Sequence, residues 1–299
     1  MSRALILLPF LSLIIVCLPA FSAQNSIVGD WVGVIKVDRK SQPVRIRFSV
    51  KDPTMTGKLT MPTQRIFDMP LNQIHWESNQ LRFELQTGAE VQKFNGYLSG
   101  DTISGTVTQA HGESTFQIAH LAPIEPQKYF GAYELEPGKF IYIRTWDELG
   151  ENQLAYFDDS GRVGPLFGLS ETSFFSGPGI WIPFPVQVKI TFTRNEKREV
   201  DGLIWAEGGM PEKSAKRVAA FKEEEIFFEN DQVRLSGTLV VPAGQGPHPA
   251  VVLVHGSGPV TRDFFGPIAY LFARRGIAVL SYDKRGIGKS GGHWLDAGF

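Results

Sequence analysis

The chain has 299 residues, 42% of them hydrophobic, with 30 basic against 31 acidic side chains and a net charge of −1. That balance gives no electrostatic case for nucleic acid or anionic lipid as a partner. The only cysteine, Cys17, falls in the leading apolar run, so the rest of the chain has no thiol for a disulfide or a Cys–metal site.

In chain order, Met1-Ser2-Arg3 supplies a short positive segment, Ala4 to Leu18 an apolar stretch and Ala20 to Ala23 a small-residue cleavage zone. Residues 1–22 therefore read as a secretory signal peptide. Cleavage after Ser22 leaves Ala20 three residues before the bond, whereas cleavage after Ala23 puts bulky Phe21 there. The run is short for a membrane span and no stop-transfer segment follows. Val16 also stands where a lipoprotein signal wants a small residue. A soluble secreted or periplasmic protein is expected.

Residues 23–215 are too many for a linker and are rich in strand patterning. Val44 to Val50, Leu81 to Leu85 and Thr102 to Val107 alternate apolar with polar residues. Lys51-Asp52-Pro53, Ser78-Asn79-Gln80 and Ser99-Gly100-Asp101 mark turns between them. Short antiparallel strands at this spacing predict a barrel or sandwich over 23–124. After Pro123 and Pro126 the pattern restarts: Phe130-Gly131-Ala132-Tyr133 echoes Val28-Gly29-Asp30-Trp31. Strands are expected over Lys139 to Arg144, Gln153 to Phe157, Val186 to Arg194 and Val200 to Trp205, with hairpin turns at Asp158 to Gly161 and Arg194 to Lys197. A second all-β module over 125–215, a degenerate repeat of the first, is the reading.

The tryptophans at 31, 76, 146, 181 and 205 either line a ligand cup or pack cores and rims. The Phe174 to Pro185 segment has too much Pro and Gly for regular sheet and is expected as an apolar loop, which either covers a neighbouring site or plugs its own barrel. His75, His111 and His120 lack metal-ligand spacing. Glu223-Glu224-Glu225 reads as a solvated boundary before an edge strand.

From residue 221 the pattern changes. Ala250 to Val254 and Ile277 to Tyr282 are apolar runs of the length of buried parallel strands. Phe264, Ile268, Leu271, Phe272 and Arg275 recur at helical spacing between them, with Asp263 as the start and Gly276 as the stop. This predicts a βαβ unit with a right-handed crossover. His255-Gly256-Ser257-Gly258 then lies at a strand's carboxyl end, where ligands meet such sheets. Its glycines either only turn the chain or free backbone N–H groups to face a developing oxyanion.

His255 to Pro259 followed by Tyr282 to Gly292 resembles the serine aminopeptidase-like and dienelactone-hydrolase-like branch of the α/β-hydrolase superfamily, over Phe221 to Phe299. The glycine–aromatic opening at Gly29 and Trp31 also resembles the β domains found ahead of secreted members. The resemblance implies ester or amide hydrolysis through an acyl-enzyme, with a small-molecule ester or peptide as substrate and no cofactor. It gives the Ser257 N–H to the oxyanion hole, with Gly256 and Gly258 shaping the turn. His255 becomes a structural histidine. Asp283, Arg285, Gly286, Gly288 and Ser290 become a supporting loop, in which Asp283 and Arg285 are expected to pair.

Gly288 to Gly292 matches G-x-S-x-G in letters, but Ser290 does not follow a strand directly and two glycines would start a helix badly. The same Gly-Lys-Ser fails as a phosphate loop because Asp283 stands where glycine is required. No other serine has a nucleophile's context. The expectation is thus the first four strands of a serine hydrolase that ends before its nucleophile, acid and base and is inactive by itself, its four-stranded sheet exposing one apolar face. The rival is a non-catalytic binding protein, in which lipocalin-like modules take an apolar ligand and the last segment is a remnant.

Overall fold

A computed structural model describes residues 27–37, 40–51, 53–110, 112–147, 150 and 152–295. The segment 1–22 with Cys17, the turn residue Asp52 and His111 lie outside the described residues.

The first eight strands are β1 (Gly29–Val37), β2 (Lys40–Lys51), β3 (Thr54–Met61), β4 (Ile66–Glu77), β5 (Gln80–Thr87), β6 (Glu90–Ser99), β7 (Thr102–Gln109) and β8 (Gly112–Leu121). They close in chain order into a barrel, β8 returning antiparallel onto β1. Of barrel and sandwich, the structure takes the barrel. The two-residue period sends Leu81, Phe83 and Leu85 of β5 inward to meet Phe48, Phe94 and Phe116. The Phe83 and Phe94 rings stack with centroids 4.3 Å apart. Trp31 belongs to this core, its indole N–H donating to the Ile27 carbonyl at 2.8 Å, and Trp76 packs against it. Among the described residues the interior is thus filled by side chains, as suits a barrel of this size, not hollowed into a cup for an apolar ligand.

The second sheet comprises β9 (Gly131–Glu136), β10 (Lys139–Thr145), β11 (Leu154–Asp158), β12 (Val163–Pro165), β13 (Phe167–Gly168), β14 (Ser173–Ser176), β15 (Val188–Arg194), β16 (Val200–Glu207) and β17 (Lys213–Val218). Its order is β12-β11-β10-β9-β17-β16-β15-β14-β13, so the last strand again returns onto the first. The two sheet ends are chain neighbours parted by Leu166. The echo between the two openings has a counterpart in space. Gly29 and Gly131 have φ of 131° and 148°, and each lies under a side chain from its module's last strand, His120 and Arg217, where a Cβ would collide.

Two expectations need correction in this sheet. Phe174 and Phe175 lie in strand β14, because each finds a buried apolar surface on its own side. Phe174 enters the core of the second sheet, while Phe175 and Phe184 pack with Val32, Val34 and Ala119 on the outside of the barrel. The aromatic segment therefore helps fill its own module through Phe174, as one of the two expectations had it, and joins that module to the first through Phe175 and Phe184. Trp205 is likewise core, and Trp181 is partly exposed beside Pro43 and Pro62.

The remaining strands are β18 (Phe221–Asn230), β19 (Val233–Pro242), β20 (Ala250–Leu253) and β21 (Ala278–Tyr282), in the order β18-β19-β21-β20. Only β20 and β21 run parallel, and helix α1 (Ile268–Ala273) lies between them in sequence. The predicted single helix from Asp263 is in fact two pieces. A 3-10 turn over Arg262–Phe265 is capped by Thr261, not by Asp263, and Gly266-Pro267 separates it from α1. The break follows from Pro267, which cannot donate within a helix and disfavours helical backbone before it; Gly266 turns at φ 49° against Trp146. One face of the sheet is covered, since Val240 and Val279 pack with α1 and with Phe140, Tyr142 and Phe157 of the second sheet. On edge strand β20 Val252 is 55% exposed, and Val254 just beyond it is 69% exposed.

Glu223-Glu224-Glu225 lies inside β18 and is not simply a solvated boundary. Arg144, a buried cation at the end of the apolar run Phe140 to Ile143, donates to Glu223, to the Tyr270 hydroxyl at 2.8 Å and to Asp263 at 3.3 Å. A buried guanidinium needs such partners. They happen to sit on the four-stranded sheet and its helix, so Arg144 fastens the second sheet to the third. No helix among the described residues is long and apolar enough to cross a membrane.

Candidate functional site

Parallel pairing from Ala250↔Ala278 to Leu253↔Ser281 brings the carboxyl ends of β20 and β21 side by side. The turn His255 to Pro259 and the loop Asp283 to Gly292 consequently meet, although the residues that touch are 26 to 28 positions apart. The contact is Lys284. Its ammonium donates to the carbonyls of Gly256 at 3.0 Å, Ser257 at 2.7 Å and Gly258 at 3.3 Å, and its backbone N–H donates to Val260 at 3.3 Å. The Trp294 ring lies 5.6 Å from the same ammonium.

Lys284 is held by its neighbour. Asp283 is 3% exposed and receives the Arg262 side chain at 3.1 and 2.7 Å, the Arg262 N–H at 2.9 Å and the Lys289 N–H at 3.0 Å. Burial opposes ionisation of this carboxyl, but the hydrogen bonds from Arg262 and Lys289 outweigh it and hold its pKa below the ordinary carboxylate range. Arg262 spends its other donors on Ser236, Thr238 and Glu225. The expected partner of Asp283 was Arg285; the structure gives Arg262 instead, and among the described residues Arg285 makes no ion pair. Arg285 lies against Gly292 with its aliphatic stem. Arg262 wins because it reaches the carboxylate with both side chain and backbone.

The loop closes tightly on itself. Gly288 has φ 56°, and a Cβ there would stand 2.5 Å from Asp283 Oδ2, so only glycine lets the Lys289 N–H reach the carboxylate. Gly286 also has positive φ, and its N–H donates to Gly291 at 2.8 Å. Ser290 is buried, its hydroxyl donating to the Asp283 carbonyl at 2.8 Å and accepting the Ser236 N–H at 3.0 Å. A hydroxyl bound in both directions inside a loop ties that loop to β19; it is not presented to a substrate.

His255 stands behind the turn, its ring 4.7 Å from that of Tyr282, with Nε2 buried and without a hydrogen-bond partner. Burial, then the charge of Lys284, pushes its pKa down, which favours the neutral imidazole. Ser257 and Gly256 are exposed and Gly258 is half-buried. Arg262 and Lys284 did not emerge from the sequence as site residues. A lysine between Asp283 and Arg285 reads as surface charge, and nothing in its spacing discloses three carbonyls a whole βα crossover away. Arg144 does leave a sign, a cation directly after the apolar run Phe140 to Ile143.

A different concavity separates the barrel from the second sheet. It is a groove of about 1660 Å³ on the outer face of β1 to β4, bounded by Pro123 to Gln127 and by Asn152 to Leu154. Arg45 crosses it to Gln153 at 3.1 Å. His75 and His120 line it, and among the described residues no group of three or more His, Cys, Asp or Glu is placed to hold a metal ion.

No family model matches the chain. Over 108 residues it is 35% identical to the esterase EstD of Thermotoga maritima, a stretch that is 33% of this chain and 26% of that protein. The match thus spans about a quarter of the curated relative's length, and over that stretch the chain is related to a hydrolase. Two acylaminoacyl peptidase structures align broadly but loosely. One, in complex with Z-Gly-Gly-Phe-chloromethyl ketone, has 12% identity and a TM-score of 0.25 over 89% of this chain and 52% of that one. The other, from Pyrococcus horikoshii, has 11% identity and a TM-score of 0.23 over 86% and 51%.

Proposed function

We propose that this chain carries the oxyanion side of an exported serine hydrolase that cleaves an ester or amide through an acyl-enzyme. The observation that carries the reading is the placement of His255-Gly256-Ser257-Gly258 at the carboxyl end of a parallel strand, in a sheet ordered β18-β19-β21-β20. That is where an open α/β sheet meets its ligands. The esterase relationship supports the same class of chemistry. In this reading residues 221–299 are the opening of an α/β-hydrolase domain, the two β modules precede it, and residues 1–22 direct export. Ser257 N–H faces the developing oxyanion. The serine nucleophile and its His and Asp partners are supplied from outside these 299 residues, because Ser290 is tied into its loop and His255 packs its ring against Tyr282 with Nε2 buried.

The test is to express both the 299-residue chain and the full product of its gene and treat each with a fluorophosphonate. Labelling of the longer product at a serine absent from this sequence, with none in the shorter chain, is expected. A full product that takes no label, or a label on Ser290, would overturn the reading. A second reading, a non-catalytic ligand-binding protein, draws on the groove between the barrel and the second sheet. It would gain if the unlabelled full product bound a small molecule there.

A further inference from the structure

Three successive carbonyls, those of Gly256, Ser257 and Gly258, point at one atom, Lys284 Nζ. An ammonium has three donors and no acceptor, so a single side chain satisfies the inner side of the turn. A trans peptide holds its N–H on the side opposite its carbonyl. With the Gly256 carbonyl drawn to Lys284, the Ser257 N–H is turned away from it; with the Ser257 carbonyl drawn in, the Gly258 N–H is turned away as well. The third carbonyl precedes Pro259, which has no N–H. Among the described residues no acceptor takes the N–H of Ser257 or of Gly258. Two adjacent outward N–H groups, with no acceptor among the described residues, are suited to an anionic oxygen.

We propose that Lys284 is the positioning residue of this turn: its ammonium gathers the three carbonyls and thereby presets the N–H groups of Ser257 and Gly258 as a pair that receives an oxyanion. The inference rests on the oxyanion reading and adds two things to it, a second donor and the residue that aims both. Lys284 is itself aimed, since its backbone N–H is bound to Val260 and the preceding Asp283 is clamped by Arg262. The ammonium also polarises the peptide units it binds, which strengthens the N–H groups on their far side. The hydrogen bonds of the Lys284 ammonium described here run to backbone carbonyls, and the role assigned to it is positioning, not proton transfer. Arginine would not replace it fully, because a planar fork cannot put three donors on three carbonyls that converge on one point.

The experiment measures ¹⁵N relaxation of the Ser257 and Gly258 amides in the 299-residue chain and in its Lys284→Met and Lys284→Arg variants. The expected order parameters are about 0.85 in the parent, below about 0.6 in Lys284→Met and intermediate in Lys284→Arg, with Val240 in β19 unchanged as the control for folding. The same substitutions in the full gene product are expected to lower kcat by roughly 10²–10³ for methionine, the loss typical of a missing oxyanion donor. KM should stay within about twofold, and arginine should rescue part of the rate. A turn that stays ordered in Lys284→Met overturns the role given to Lys284. A turn that loosens with kcat unchanged leaves Lys284 as its tether and overturns the oxyanion reading of Ser257 and Gly258.

Discussion

The eight-stranded barrel and the four-stranded sheet solve the problem of strand edges in opposite ways. In the barrel every strand is paired on both sides, and the core of Phe48, Phe83, Phe94 and Phe116 is sealed by closure. The sheet of β18 to β21 stays open, and among the described residues β20 pairs with β21 alone. Ion pairs and hydrogen bonds do much of the work there: Arg262 with Asp283 within the sheet's loops, Arg144 with Glu223 toward the second sheet. The candidate site lies on the open sheet, because only strands whose carboxyl ends are not consumed by hairpins leave turns free to face a ligand. The barrel's strands are spent on short reversals, such as Ser78-Asn79 with φ of 51° and 64°.

The comparison breaks most directly with two substitutions of similar expected cost. Phe94→Ala empties part of the barrel core and should cost about 3–5 kcal/mol. Asp283→Ala takes from buried Arg262 its closest carboxylate, leaving Glu225 at 3.4 Å, and should also cost about 3–5 kcal/mol. If closure and ion pairing hold separate regions, hydrogen exchange will rise across residues 29–121 in the first variant and across 233–295 in the second. Equal opening of both regions in either variant would show that the chain unfolds as one unit and that the contrast is only architectural.

What was legible in the sequence follows the same division. Alternation is local, so Val44 to Val50 and Leu81 to Leu85 disclosed β2 and β5 directly, and turn chemistry marked Ser78-Asn79 and Gly100. Closure joins Asp30 to Leu121, and no local pattern specifies it. The βαβ order after residue 250 is readable from two apolar runs, but apolar spacing carries a single helix across the Gly266-Pro267 break that in the structure divides it. Composition misled at Phe174-Phe175, where the Pro and Gly that follow hid a strand with two buried faces. In the candidate site the turn was readable from its glycines. Its tether was not, since a lysine's reach across a crossover leaves no mark on spacing.

A pH titration sharpens the comparison at a smaller scale. The folded-state pKa of Asp283 is lowered, so its contribution to stability is complete above the ordinary carboxylate value of about 4 and is lost as pH falls through the folded value. His255 acts in the same direction from a higher starting point: its folded pKa is also lowered, so its contribution is complete above about 6.5 and declines as pH falls below that. Acidification should therefore raise hydrogen exchange in residues 233–295 ahead of residues 29–121. In Asp283→Asn the part of that dependence below pH of about 4 should shrink to what Glu225 contributes through Lys289 and Arg262, while the part attached to His255 persists. A barrel that loosens first would reverse the assignment of acid sensitivity to the open sheet.

The smallest expected effect isolates the edge itself. Val252 on β20 and Val91 on β6 are both exposed valines on strands, but only β20 lacks a second neighbour among the described residues. Replacing either by lysine should change stability within about 0.5 kcal/mol, since neither side chain is buried in a core. Their effects on association should differ. A charge on an open apolar edge opposes pairing with another chain, whereas a charge on a closed barrel has no edge to protect. Light scattering over a concentration series should therefore show less self-association in Val252→Lys than in the parent, with Val91→Lys matching the parent. Equal behaviour of the two variants would mean that net charge governs solubility and that the open edge of β20 is not sticky. A difference confined to Val252 would show that closure protects the first module while the sheet that carries the candidate site is left exposed.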